Sequence, residues 1–292
     1  VTQQWMRWIS LDVGTSPSGF SLASTESLRV SFNIERDEKS WPNTAQIDVY
    51  NLNPDHRKYL SDLEGVPVRL HAGYESGTGL LFDGMLRDVD FTDGIDRVTT
   101  LSLGDGEMDK DGEPIAGKAI KATWSRGTPI VTILQAFAQH LNVNLGNAST
   151  MGAAAKLPTG VALSHAFAVD GPALDEFIYF MRSLQMPWSI QNGSLQVRAA
   201  PEVPASMGAL ISPQTGLIGH VKAKTKLVKR FKHTQKIKVA EGKCLLLPGL
   251  LPGQQFVLKS STVSGPVMCT KVHHSGDTHG NEWATEFEGI YG

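Results

Sequence analysis

The residue types best suited to chemistry crowd into one window, VHHSGDTHGNEW, residues 272–283. His273, His274, Asp277, His279 and Glu282 are the side chains that hold zinc and other transition metals. A metal-dependent hydrolase needs three such ligands, an open coordination position and a general base. The spacing here is not H-E-x-x-H. On a continuing strand the neighbours His273 and His274 point to opposite faces. Gly276 and Gly280 suit a turn, so the window reads first as a polar hairpin loop. No metal is assigned, and His274, Asp277 and His279 stand as the weak candidate ligands of the alternative, a hydrolase built on the His273/His274/Asp277/His279 loop.

Three other stretches imitate functional motifs and depart from them. In GDGEMDKDGE, taking Gly112 as a calcium-loop glycine puts Glu107 first and Lys118 last. Such a loop requires Asp first and a bidentate Glu last, so an acidic surface turn is the better reading. GTSPSG, from Gly14, lacks the spacing and the strand-turn-helix setting of a nucleophile elbow. GTGLLFDG, from Gly77, has no Lys-Ser/Thr end for a phosphate loop. No catalytic residue and no cofactor are assigned, and the chain is not expected to be an enzyme.

Charge is the stronger signal. Residues 218–243 hold nine lysines and arginines against Glu241 alone, in a chain of net charge -2. Lys222, Lys224 and Lys226 alternate and share one face of a strand; Lys229, Arg230 and Lys232 follow. Three readings fit: contact with nucleic-acid phosphates, pairing with an acidic protein surface, or a solvated strand face whose lysines block edge-to-edge aggregation. No aromatic ladder of the single-strand-binding kind accompanies the lysines. These six residues are the candidate interface.

The elements that must position these groups are mostly strands. Only 19% of the 292 residues are charged and 41% are hydrophobic, enough for two or three modest cores. The two cysteines, Cys244 and Cys269, lack metal-like spacing. The first residues do not read as a signal peptide. No apolar run approaches a bilayer span, so a soluble protein or assembly component is expected. LRVSFNIER places Leu28, Val30, Phe32 and Ile34 on one face, and VPVRLHAGY does the same with Val66, Val68, Leu70 and Ala72. NTAQIDVYNLNPDHRKYL is a strand through Ile47 and Val49 that runs into a short helix. Asn53 is its cap, Pro54 its first residue, and Tyr59, Leu60 and Leu63 its buried face. After Trp124, SRGTPIVTILQAFAQHLNV has a helical stripe of Ile130, Ile133, Leu134, Phe137 and Leu141, with Thr128-Pro129 as N-cap and first residue. A second helix starts near Asp170–Pro172 and ends before Pro187, with Leu174, Phe177, Ile178, Met181 and Leu184 apolar. Asn192-Gly193 signals a hairpin. A Gly/Ala-rich loop around 148–160 and the linker PEVPAS separate the parts. The expected fold is mixed and mainly β: two small antiparallel β-barrel domains, 1–123 and 206–292, with an intervening α+β domain, 124–205.

Tyr50-Asn51-Leu52, Ala72-Gly73-Tyr74, Phe82-Asp83-Gly84 and Asp105-Gly106 occur in the order in which the first domain of phage tail baseplate hub proteins carries them. Pro252-Gly253, His274, Gly276-Asp277 and Trp283 follow the "pG" loop and "H-x-GD … W" segment of that family's last domain. The chain thus resembles the baseplate hub family, which is related to the hub-like head of secretion-system spikes. The resemblance implies a homotrimer whose six small barrels form a pseudo-sixfold ring. Such a ring joins the sixfold tail tube, or distal tail proteins, to the threefold trimeric spike, and lines the channel through which phage DNA leaves. It implies a virion baseplate location, no membrane in the assembled state, and a structural role for the H-x-GD loop.

Overall fold

The computed structural model describes residues 6–15, 19–23, 28–38, 43–61, 65–105, 119–146, 162–184, 186–197, 208–230 and 233–292. They divide into two compact units. One comprises Val1–Asp37, Asn43–Gly104 and Ala205–Gly292, and the other Glu38–Pro42 and Asp105–Pro204. Leu63, the candidate calcium loop from Glu107 to Lys118, the Gly/Ala-rich loop, PEVPAS and Lys232 lie outside the described residues.

The first unit begins with β1 (Arg7–Val13), β2 (Phe20–Ala23), β3 (Val30–Asp37), β4 (Thr44–Tyr50), α1 (Pro54–Ser61), β5 (Pro67–Tyr74), β6 (Gly77–Asp93) and β7 (Arg97–Gly104). The alternation in sequence becomes the two faces of these strands. Val30, Phe32 and Ile34, Ala45, Ile47 and Val49, and Val68, Leu70 and Ala72 are all buried in one apolar cluster. The turn after β4 depends on Asn51, at φ +56°, where Asn tolerates the left-handed region better than most residues. Its backbone N–H donates to the Arg97 carbonyl at 2.7 Å, and its side-chain oxygen accepts from the Arg97 N–H at 3.1 Å. Asn53 Oδ1 then accepts the Asp55 N–H at 2.8 Å, capping α1 as its sequence predicts. Leu60 is buried and Tyr59 packs partly against the same core.

The second unit contains β8 (Ala119–Trp124), α2 (Ile130–His140), β9 (Phe167–Pro172), α3 (Ala173–Leu184), β10 (Trp188–Gln191) and β11 (Ser194–Val197). β8 pairs with β9, and β10 with β11. The β10–β11 turn is Asn192-Gly193, at φ +50° and +66°, the signature of a type I′ hairpin. Pro129 is the N-cap of α2 rather than its first helical residue, with extended backbone; Thr128 instead closes a turn onto the Ser125 carbonyl. Ile130, Ile133, Leu134 and Phe137 are buried as their spacing requires. On α3, Phe180 is buried with Phe177 and Met181, while Leu174 and Ile178 are half-buried. Phe180 sits 5.8 Å from Phe137 and 5.0 Å from Phe167, ring centre to ring centre. An aromatic cluster therefore sets the buried stripe of α3.

The chain then returns to the first unit as β12 (Leu210–Ile211), β13 (Leu217–Arg230), β14 (His233–Leu245), β15 (Gln255–Lys259), β16 (Ser264–Asp277) and β17 (Trp283–Tyr291). Among the described residues the thirteen strands of this unit join one sheet, ordered β13-β14-β17-β16-β3-β4-β7-β6-β5-β1-β2, with β15 on β16 and β12 on β15. Among the described strands of this sheet only β12–β15 is parallel. The mainly β expectation holds. Closure into two barrels is not seen among the described residues, because β13 and β2 end the strand order. Two apolar clusters nonetheless form, one among β1–β7 that also takes in Leu246 and Trp283, and one among β12–β17.

β16 makes the join. Its first residues pair with β15, and Lys271 to Asp277 pair with Asp37 to Ser31 of β3. Trp283 on the adjacent strand belongs to the N-terminal core: its Nε1–H donates to the Gly73 carbonyl at 3.2 Å and its ring meets Phe32 edge-on at 5.3 Å. Gly276 lies opposite Trp283. A Cβ there would stand 2.8 Å from the Trp283 ring and closer still to Phe32. Gly276→Ala is expected to cost about 1–3 kcal/mol through overpacking, read as a lowered urea midpoint at unchanged slope.

Candidate functional site

β16 and the turn after it disperse the three histidines and Asp277. His274 faces the core, is wholly buried and has its Nδ1 2.9 Å from Thr285 Oγ1. His273, on the opposite face, contacts Asn33 Oδ1 and lies 3.8 Å from Glu286. His279 rests against Thr278 Oγ1 at 3.0 Å. Asp277 accepts three hydrogen bonds from Arg29 of 2.7–3.2 Å and the His279 backbone N–H at 2.9 Å. Partial burial raises its carboxyl, but Arg29 and the His279 and Gly280 N–H groups outweigh this and hold it below the usual range. Among the described residues no three His, Cys, Asp or Glu side chains converge on a metal position.

The window is instead a clamp. Arg7, from β1, donates to the carbonyls of Asp277 at 2.7 Å, Gly280 at 2.5 Å and Asn281 at 3.2 Å. Its guanidinium also lies 5.4 Å from the centre of the Trp283 ring. Two N-terminal arginines thus grip the β16–β17 turn. On the core side Arg36 is buried, donates to the Leu81 carbonyl and lies over Phe82 at 5.3 Å. Arg36 continues the inward phase of Val30, Phe32 and Ile34; that parity is the signal for its burial in the sequence. Cys244 and Cys269 are buried thiols outside any disulfide, and burial pushes Cys244 up to about 12.

The basic strand meets acids of its own chain. Lys224 pairs with Glu241 at 2.5 Å, and Lys226 with Glu288 at 2.8 Å and Glu241 at 3.8 Å. Lys243 pairs with Glu282 at 2.5 Å and Glu286 at 3.4 Å. Lys222 is exposed opposite Glu241. Hydrogen bonds to Glu288 raise Lys226, and the bond from Lys224 lowers Glu241. These groups are partly exposed and screened by solvent, so each pair contributes about 0–1 kcal/mol. The result is a face of alternating sign across β13, β14, β17, β16 and β3, with a groove of about 440 Å³ bordered by Glu35, Lys222, Glu241, Lys243, His273 and Glu286. Mixed sign argues against a simple phosphate track. Glu282, Glu286 and Glu288 share one strand parity, and that spacing is how the sequence signals them. Lys229 and Arg230 lie on the β13 backbone, with side chains outside the described residues.

His274 carries a pH dependence. Burial first, then the charges of Arg36 and His273, lowers its pKa to about 3 against the Leu250 backbone, which favours the charged ring. The unfolded chain takes up this proton near pH 6.5 and the folded chain only near pH 3, so stability is full above the first value and falls as pH drops between them. A loss of about 2 kcal/mol is expected between pH 7 and pH 5. Urea titrations at both pH values should show it in the wild type and a flatter dependence in His274→Gln.

No protein-family model matches the chain, and no curated protein matches it. Solved structures do. A tail protein from Neisseria meningitidis superposes with a TM-score of 0.62 at 11% identity, covering 98% of this chain and 97% of that one. The 43 kDa tail protein of prophage MuSo2 from Shewanella oneidensis gives 0.58 at 9% identity, over 97% and 98%. A component of the Escherichia coli type VI secretion system gives 0.51 at 8% identity, over 90% and 74%. The chain has the fold that these phage tail and secretion-system proteins share.

Proposed function

We propose that the chain is a non-enzymatic baseplate hub of a phage-type tail. The observation that carries this reading is the end-to-end likeness to two tail proteins, each covered almost completely. On this reading residues 1–123 and 206–292 act as two similar barrel-like β domains, and residues 124–205 form an α+β insert between them. The two separate apolar clusters on either side of the β3–β16 pairing support that division. Three chains then present six such units, meeting a sixfold tube on one side and a threefold spike on the other and leaving a channel for DNA. A cyclic trimer closes through heterologous contacts, so each chain needs two different complementary surfaces. Lys222, Lys224, Lys226, Lys229, Arg230 and Lys232 belong to one of them.

A second reading, the hub-like part of a secretion-system spike, is supported by the likeness to the Escherichia coli component. It makes the same ring and differs in what sits below it. Light scattering after size exclusion tests the shared core of both. A species near three times the 31.6 kDa chain mass is expected, and a strict monomer at high concentration would count against both.

A further inference from the structure

β13 and β14 outrun the strand that supports them. β14 pairs with β17 only from Leu245 to Lys238. Its pairing with β13 continues for five more residue pairs, from Lys226↔Ile237 to Arg230↔His233. Among the described residues no third strand covers this stretch, which is therefore a two-stranded arm on the edge of the sheet. An isolated two-stranded ribbon is marginal in water without a further surface. Leu227 on the arm is 67% exposed. The arm's sequence is basic, with Lys226, Lys229, Arg230 and Lys236, and contains no acid.

The same chain carries the opposite surface. The far ends of β6 and β7 form a hairpin whose exposed residues include Asp88, Asp90, Asp93 and Asp96, with Phe91 partly and Ile95 fully exposed at the tip. Asp93 is committed to Arg57 at 2.7 Å, and Asp96 accepts from Asn51. Asp88 and Asp90, two residues apart on β6, share one face of the strand. β17, β16, β3 and β4 separate β14 from β7 in the sheet.

We infer that the basic β13–β14 arm of one copy docks on the acidic β6–β7 hairpin of the next, with Leu227 and Ile95 as the apolar contacts of a head-to-tail junction. The partner is a second copy of this chain, because charge and exposed apolar residues are complementary within one sequence. The inference rests on the trimeric reading above and names the surfaces that close it. Lys224 and Lys226 are poor probes, since they pair with Glu241 and Glu288 inside the chain. The test uses Lys229→Glu/Lys236→Glu, Asp88→Lys/Asp90→Lys, and the quadruple variant, with folding checked by thermal melting. Each pair is expected to raise the concentration for half-association by about ten-fold or more, and the quadruple variant to restore it. A wild type that trimerises alongside unaffected pair variants overturns the junction and leaves the hub reading intact. Failure of the quadruple variant to recover also overturns it. A wild type that stays monomeric overturns both. Binding of duplex DNA that the arm variant loses, with association unchanged, assigns the arm to phosphate contact and overturns the junction.

Discussion

The pairing of β16 with β3 is the constraint on which the rest of the first unit depends. Among the described residues it is the one place where strands from the start and the end of the chain pair, and without it the strand order breaks into two pieces. The interactions around it are of three kinds. Ring packing of Phe32 and Trp283 over Gly276 admits no extra methyl group. Arg29 and Arg7 fasten the turn that follows β16. His274 and Arg36 fill the inner face beside Thr285 and Phe82. The first is a packing term that any added volume disturbs. The second is partly exposed and contributes register more than energy. The third places polar groups in a low-dielectric interior, where the neutral ring is strongly preferred.

This arrangement explains why the metal-binding residue types of the window do not converge as a ligand set among the described residues. A ligand set requires convergence, and strand geometry sends His273 and His274 apart. Asp277 is already satisfied by a guanidinium and backbone donors. Asp277 and His273 hold one half of the unit to the other, through Arg29 and Asn33. A tail hub, as proposed, needs two β units held in one chain so that three chains present six.

Much of the fold was legible in the sequence. Period-two alternation found β3, β4 and β5, Asn53-Pro54 found the start of α1, and Asn192-Gly193 found the β10–β11 turn, because each is a local signal with a local cause. The cap of α2 shifted by one residue, since Thr128 is drawn into a turn with Ser125. Phe180 was missed because aromatic partners on β9 and α2, distant in sequence, decide which face of α3 is buried. The single continuous sheet was not legible either: strand order depends on pairing across more than two hundred residues, as between β3 and β16. For the candidate interface the sequence revealed the lysines, whereas their acids on β17 are neighbours only in the folded sheet. The face of alternating sign is therefore a tertiary fact, even though the parity of Glu282, Glu286 and Glu288 hinted at its acidic side.

The central claim is that one chain supplies two β units to a ring. End-on electron-microscope averages of the purified, associated protein test it most directly. The account predicts six lobes around a central opening, alternating in two kinds and related by threefold symmetry. A ring of three undivided lobes, or particles with no ring at all, would contradict it.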